Sequence, residues 1–519
     1  MLFNSYPFLL LFLPITLIGY VIIGRTLGRN AVFGWLVAAS LFFYGWWNWY
    51  FLALLLASLL FNYAAGTWLS KLDKRPPGKF VLGVALAFNV GFLGYFKYKN
   101  FFLENVSALL GANWTFLPVV LPLGISFYTF QKIAYLVDSY QGKTRGYGFR
   151  DFCLFVSFFP QLIAGPITHH GEIMPQFRKQ DTARAHWGDW SVGLTLFVFG
   201  LAKKVLLADR LAAFASPVFQ VAKGGADFGL TEAWVGVLAY TLQLYFDFSG
   251  YSDMAIGLAR LFGIRLPMNF NSPYQATNIA DFWRRWHVTL SRFLRDYLYI
   301  PLGGNRRGPV RKYLNLFLTM LIGGIWHGAG WTFVIWGALH GAYLLVYHAW
   351  RDWREKHQTP NTKHQITSKL QTPNGGAPRP LFRTIVARAV TFLAVVVAWV
   401  FFRAENFEAA ASLLVSMTGA NGFTSNFSRL DMTSAWIIVS LLLLAVWVLP
   451  NSHQLLARFE PTLEYARHEN AEAQFDAVPK WARRLVWKPR LAWVLCLAVL
   501  TVWSILGLSR VSEFIYWQF

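Results

Sequence analysis

Apolar runs that approach or exceed the length of a bilayer crossing recur along this chain from Tyr6 to its C-terminal region, separated by short clusters of Lys and Arg. A helix needs about 20 apolar residues to traverse the hydrocarbon core, and lipid offers no partner to an unpaired backbone N–H or C=O. Composition agrees: 55% of the residues are hydrophobic and only 14% charged, with 24 Trp and 47 Phe, which no ordinary soluble domain matches. The expectation is an all-α polytopic membrane protein. A net charge of +22 could point to nucleic acid. Its Lys and Arg, however, fall between apolar runs as the positive-inside bias requires, so membrane lipids rather than nucleic acid are the expected partner. Two cysteines, Cys153 and Cys496, lie inside apolar runs and are too few for a disulfide framework or a metal site.

Residues Met1 to Ile23 lack a basic leader region and a small-residue cleavage site, and Pro14 interrupts them, so they read as a retained first span. Residues 31 to 70 exceed one span and fold back most naturally at Trp46-Trp47-Asn48-Trp49, an interfacial aromatic cluster. Residues 80 to 96 and 118 to 137 follow as further spans. Placing the basic loops around Arg25, Lys74 and Arg145 in the cytoplasm puts the N-terminus outside. Phe152 to Pro166 holds Pro160, Gly165 and Pro166 and reads equally as a re-entrant segment or a broken span. His169 and His170 come next, but no Cys or second His stands at helical spacing, and no metal is expected there. Trp190 to Ala215 reads as a span in which Lys203 and Lys204 could snorkel. In Trp234 to Phe262, Gln243, Asp247 and Asp253 sit among apolar residues; interhelical hydrogen bonds or a polar cavity would explain them, with a proton relay as the sharper alternative.

From Asp281 to Pro301 the pattern predicts an amphipathic helix at the membrane boundary, with Trp283, His287, Leu290 and Leu294 on one face and Asp281, Arg285 and Arg292 on another. Its arginines suit phosphates, those of lipid headgroups before those of a nucleotide-bearing donor. The loop Gly303 to Pro309, which includes Asn305, lacks the Gly-Lys-Ser/Thr end of a phosphate-binding loop. Tyr313 to His348 is a long apolar segment with Trp326-His327-Gly328 near its middle. An unpaired imidazole in hydrocarbon is penalised by a few kcal/mol or so, so His327 is expected to face protein or a water-filled cavity. Glycines on both sides would let a backbone or a substrate come close.

These segments together resemble the membrane-bound O-acyltransferase family, in its alginate O-acetylation branch. The resemblance rests on Phe159 to Ile167 (FPQLIAGPI), Tyr245 to Asp253 (YFDFSGYSD), Asn269-Phe270, Phe282 to His287 (FWRRWH), Tyr299 to Gly304 (YIPLGG) and Trp326-His327-Gly328, in the family's order. It implies a ring of tilted transmembrane helices around a central tunnel or funnel, with re-entrant and interfacial helices. It covers residues 1–450, with 351–383 as a mobile polar loop; 451–519 forms a polar segment and a final transmembrane helix. The resemblance matches His327 to the family's essential histidine and His287 to its second one. Trp326, Trp331, Asp247, Asp253 and Asn305 are candidates for lining the tunnel or touching substrate.

An imidazole with a pKa of about 6.5 can accept the proton of an attacking hydroxyl, which fits His327 as general base and His287 as an orienting partner. No Ser or Cys stands in a nucleophile elbow, so direct transfer is expected and no bound cofactor. The resemblance further implies an acyl thioester donor, acetyl-CoA or an acyl carrier, and O-acetylation of an exported polysaccharide such as alginate. A periplasmic SGNH-type acetyltransferase would be the partner that completes the reaction. A transporter and a scaffold subunit of a polysaccharide machine are the alternatives. Inverted repeats would favour the transporter, and the sequence shows no internal repeat.

Overall fold

Helices account for all regular structure in the computed structural model, which describes residues 1–72, 75–112, 114, 117, 119–179, 184–225, 228–357, 380–424, 431–467, 478–508 and 514–515. No strand occurs among the described residues. Five helices there are long and apolar enough to cross a membrane: Pro7–Thr26, Trp49–Leu72, Pro76–Leu109, Trp187–Ala222 and Leu381–Arg403. Shorter apolar helices span Phe407–Met417, Met432–Val448 and Leu491–Gly507. The turn expected in the tryptophan cluster is present, since Arg29–Gly45 ends one residue before Trp46 and Trp49–Leu72 begins three residues after it. The protein is therefore an all-α, multi-pass membrane protein. Most of the 351–383 loop, residues 358–379, lies outside the described residues.

The chain groups into two compact units, one of Met1–Arg210, Gln243–Asn269 and Pro450–Phe519, the other of Leu211–Leu242 and Phe270–Leu449. The Leu230–Leu261 helix contributes residues to both, and every residue from 235 to 262 is buried. Because its side chains meet protein, polar residues at span depth are tolerated.

In the first unit, glycines bring the Trp187–Ala202 helix onto Gln243–Leu261. A Cβ added to Gly193 would lie 2.7 Å from the Gly257 carbonyl oxygen, and one on Gly250 would lie 2.8 Å from that of Gly200. Such small-residue contacts let backbones close up in a membrane. The approach carries Lys203 and Lys204 to the acids of the facing helix. Lys203 Nζ lies 2.6 Å from Asp253 Oδ2, and Lys204 Nζ lies 2.8 Å from both Asp247 Oδ1 and Asp209 Oδ1. Instead of snorkelling, Lys204 is 1% exposed, because a nearby carboxylate is a better partner for an ammonium than a distant interface. Ser452 donates to Asp253 Oδ2 at 2.5 Å, and His453 Nε2 lies 3.2 Å from Oδ1. The segment 152–168 is wholly buried, with a backbone break at Phe158 between Phe149–Ser157 and Phe159–Leu162. Its non-helical backbone is thus enclosed by protein, and Ser40 Oγ accepts the Phe159 N–H at 3.1 Å.

In the second unit, the apolar stretch from Tyr313 to His348 is a hairpin and not one span centred on His327. Helix Gly308–His327 ends at the histidine and Trp331–Lys356 starts three residues after Gly328. Neither is among the five span-grade helices. Glycines explain the tight return: a Cβ on Gly337 would stand 2.7 Å from the Met320 carbonyl oxygen and 3.1 Å from Gly324 Cα, and one on Gly328 would collide with the Phe333 ring. The amphipathic helix expected from Asp281 is broken as well. Helices Ile279–Trp283 and Val288–Leu294 flank a turn in which His287 takes φ 43°, a left-handed value uncommon outside glycine.

Candidate active site

His327 closes its helix with its side chain turned into an aromatic enclosure. Trp326, Trp336 and Phe402 meet the imidazole edge-on, with ring centroids at 4.8, 4.9 and 5.3 Å. The sequence places these rings there by two devices. Trp326 is the preceding residue, and Trp336 lies one turn into the second helix of the hairpin, where the glycine contacts bring it level with His327. Phe402 comes from the Leu381–Arg403 span, which packs against that helix.

The enclosure extends beyond His327. Trp336 stacks on Trp399 at 5.8 Å and meets His340 at 4.8 Å. The Trp283 indole N–H donates to His340 Nδ1 at 3.3 Å. His340 was not singled out by sequence, although it follows Trp336 by four residues and so shares its helix face. His287 is stacked on Phe270 at 6.5 Å and faces Trp326 at 6.5 Å. Trp326 therefore borders both motif histidines. Burial pushes the His287 imidazole down to about 3, which keeps it neutral. His287 and His340 are 0% exposed and His327 is 4%, so all three histidines are buried.

The remaining candidates separate. Trp326 is in the enclosure, but Trp331 is 54% exposed at the start of its helix. Asn305 sits in the loop before the Gly308–His327 helix, at the end opposite His327, and accepts a hydrogen bond from Tyr299 Oη. Asp247 and Asp253 belong to the first unit and are engaged in the buried ion pairs described above.

One further cluster in the first unit was only half visible in the sequence. His169 Nε2 and His170 Nε2 both contact Asp138 Oδ2, at 2.7 and 2.9 Å. The three side chains offer ligand atoms within 4.8 Å of one another, a spacing that could hold a cation. The Gly171 N–H donates to His169 Nδ1, however, which assigns the ring proton to Nε2 and directs it at the carboxylate. That tautomer suits a hydrogen-bonded acid better than a metal ligand set, in which the outer nitrogen normally donates.

A multi-pass helical membrane protein with histidines set in a protein-lined aromatic enclosure is the class that fold and site define. The family model described as MBOAT, membrane-bound O-acyltransferase family, matches residues 139–368, a range that includes His287, His327 and Trp336. The chain is 45% identical over 449 residues to a peptidoglycan O-acetyltransferase of Helicobacter pylori, covering 81% of this chain and 80% of that protein. It is 39% identical over 537 residues to a probable alginate O-acetylase AlgI of Azotobacter vinelandii, with both chains covered in full. A teichoic acid D-alanyltransferase of Lacticaseibacillus rhamnosus is 28% identical over 322 residues, 55% of this chain and 78% of that one. The chain belongs to the membrane-bound O-acyltransferase family and is an O-acyltransferase.

Proposed function

We propose that the protein O-acetylates an exported polysaccharide at the bacterial inner membrane, taking the acetyl group from a cytoplasmic thioester, acetyl-CoA. The observation that carries this reading is His327, held in an aromatic enclosure at a helix C-terminus. Its imidazole takes the proton of the acceptor hydroxyl as that oxygen attacks the thioester carbonyl. The tetrahedral intermediate collapses with loss of the thiolate, which recovers the proton from the ring. General base assistance of this kind contributes about 10² to 10⁴ in rate. The carbonyl end of the Gly308–His327 helix favours the positive charge that develops on the ring. Trp326, Trp336 and Phe402 exclude water, which protects the thioester from hydrolysis. His287, neutral and bordered by the same Trp326, orients the acceptor or Trp326 itself.

Relatives named for alginate and for peptidoglycan O-acetylation support a hydroxyl on a cell-surface glycan as the final acceptor. A periplasmic SGNH-type transferase is the intermediate acceptor we favour, with the N-terminus of this chain on the same side. The test is to supply labelled acetyl-CoA to the cytoplasmic face of sealed vesicles and to follow label into a lumenal acceptor. Label that crosses as intact donor, or that never crosses, overturns the reading.

A further inference from the structure

Three buried N–H groups in the enclosure of His327 have no acceptor among the described residues: Nε1 of Trp336, Nε1 of Trp399 and Nε2 of His340. An indole nitrogen can only donate. At His340 the Trp283 indole N–H donates to Nδ1 at 3.3 Å, so the neutral ring carries its proton on Nε2 and is a donor there too. Trp336 and His340 are one turn apart on Trp331–Lys356, and Trp399 reaches them from Leu381–Arg403. Ring centroids stand 4.8 Å apart for Trp336 and His340, 5.8 Å for Trp336 and Trp399, and 6.2 Å for His340 and Trp399. We propose that these three groups form the oxyanion hole of acyl transfer, donating to the carbonyl oxygen of the acyl thioester. The inference rests on the acyltransferase reading above and names the residues that hold its electrophile.

Donors without acceptors point to the kind of atom they meet. All three side chains are at most 1% exposed, and a buried donor left unmet keeps its full desolvation cost, which is why such groups are nearly always paired. A cation finds no lone pair in this set. A water molecule matches it poorly, because water must also find acceptors for its own two protons. A tetrahedral oxyanion brings three lone pairs and no proton, one pair for each N–H.

Packing ties these donors to the base. The Trp336 ring is 4.9 Å from His327, and Phe402 touches His327, Trp336 and Trp399 at 5.3, 5.2 and 5.2 Å, so base and donors share one aromatic shell. As the acceptor oxygen bonds to the carbonyl carbon, the carbonyl π pair moves onto its oxygen and His327 takes the hydroxyl proton. Donors already fixed by packing meet that charge away from bulk water, where their dipoles act most strongly. When the pair returns, the C–S bond breaks and the thiolate takes the proton from His327.

Full-length protein in nanodiscs, supplied with carbonyl-labelled acetyl-CoA, tests the proposal. Trp399→Phe keeps the ring stack and removes an N–H; with two donors left it should lower kcat about tenfold, and adding Trp336→Phe should bring the loss to about 100-fold, with KM within about threefold. His340→Gln, whose amide N–H can stand in for Nε2–H, should retain more activity than His340→Met. Trp447→Phe also removes a buried unpartnered indole N–H, but on Met432–Val448 outside the enclosure, and as the control should leave kcat unchanged. The direct readout is the infrared carbonyl band of the bound donor in the His327→Ala background, where turnover is slow. That band should lie below the band of the donor in water, rise in Trp399→Phe and rise further in the double variant. A band that neither variant moves overturns the proposal and assigns the three N–H groups to packing, whatever happens to kcat or melting temperature. A double variant with wild-type kcat overturns it as well. Label transfer by the wild type separates the two readings: transfer with an unmoved band sinks the oxyanion hole alone, and neither binding nor transfer sinks both.

Discussion

Trp336 stands edge-on to His327 with ring centroids 4.9 Å apart and planes at 84°, and it meets His340 at 4.8 Å. The indole therefore fixes the position of the candidate base while being fixed itself by a buried histidine. Edge-to-face pairs of this kind are worth about 0.5–1.5 kcal/mol beyond their burial, and they define ring orientation. Trp336→Phe keeps an aromatic wall and should stay within about tenfold of wild-type kcat. Trp336→Ala opens a cavity, should destabilise by about 3–5 kcal/mol and should lose about 100-fold in kcat through misplacement of the imidazole. Steady-state kinetics and thermal unfolding in detergent check both, and a fully active alanine variant would deny the ring any positioning role.

His327→Ala should reduce acyl transfer by about 10² to 10⁴ without loss of expression or membrane insertion. The side chain packs among the rings of Trp326, Trp336 and Phe402 at the last position of its helix, so its removal is expected to leave the hairpin folded. Transfer of labelled acetyl to the acceptor is the measurement. Undiminished transfer in a well-folded variant would remove the ring from the chemistry.

The spans Pro7–Thr26, Trp49–Leu72, Pro76–Leu109 and Trp187–Ala222 were legible because lipid imposes a run length, and the tryptophan turn because Trp46 to Asn48 interrupts that run with interfacial residues. Leu381–Arg403 was not foreseen, and the run expected to cross at 118–137 gives the 16-residue helix Ile125–Tyr140, which is not among the span-grade helices. His327 and His287 were legible only through the motifs that contain them. The hairpin was not, since Gly328 and Gly330 inside an apolar run look the same whether the chain passes through or turns back. The break before His287 depends on a left-handed φ at a non-glycine residue, for which no residue pattern gives notice. Pairing of Lys203 with Asp253 crosses 50 residues, and glycine contacts that no periodicity reveals decide it. His340 escaped notice because one histidine on an apolar helix face is ordinarily core.

At His287 the backbone and the ring can be tested apart. Glycine and asparagine both tolerate φ 43°, whereas alanine there carries a strain of about 1–2 kcal/mol. His287→Asn and His287→Gly should therefore fold more stably than His287→Ala, and all three should lose activity if the imidazole orients substrate. A glycine variant with wild-type kcat would reduce His287 to a turn residue.

Burial holds the His170 imidazole below its ordinary value, against its hydrogen bond to Asp138, which favours the charged form. A histidine whose folded pKa is depressed binds fewer protons folded than unfolded. Its stabilising contribution is complete above the unfolded value of about 6.5 and is lost as pH falls below it. Thermal midpoints in detergent should decline between pH 7.5 and 5.5, and His170→Asn should flatten that decline. An unchanged slope in the variant would show that another group controls it.

Asp253 decides between a structural and a relay role for the acids of the Leu230–Leu261 helix. It accepts from Lys203 at 2.6 Å and Ser452 at 2.5 Å, and His453 lies at 3.2 Å, so three side chains from two other elements of the first unit converge on one buried carboxylate. Removing one partner of a buried pair leaves the other charge unmatched and costs about 3–5 kcal/mol, while replacing both by apolar groups is often neutral. Asp253→Asn should accordingly lower the melting temperature sharply, and Lys203→Met with Asp253→Leu should recover most of the loss together with activity. A proton relay requires the opposite pattern, a stable asparagine variant that is inactive and a double apolar variant that stays inactive. Recovery of transfer in the double variant thus excludes Asp253 from the proton path, because leucine can hold a helix in place but cannot carry a proton.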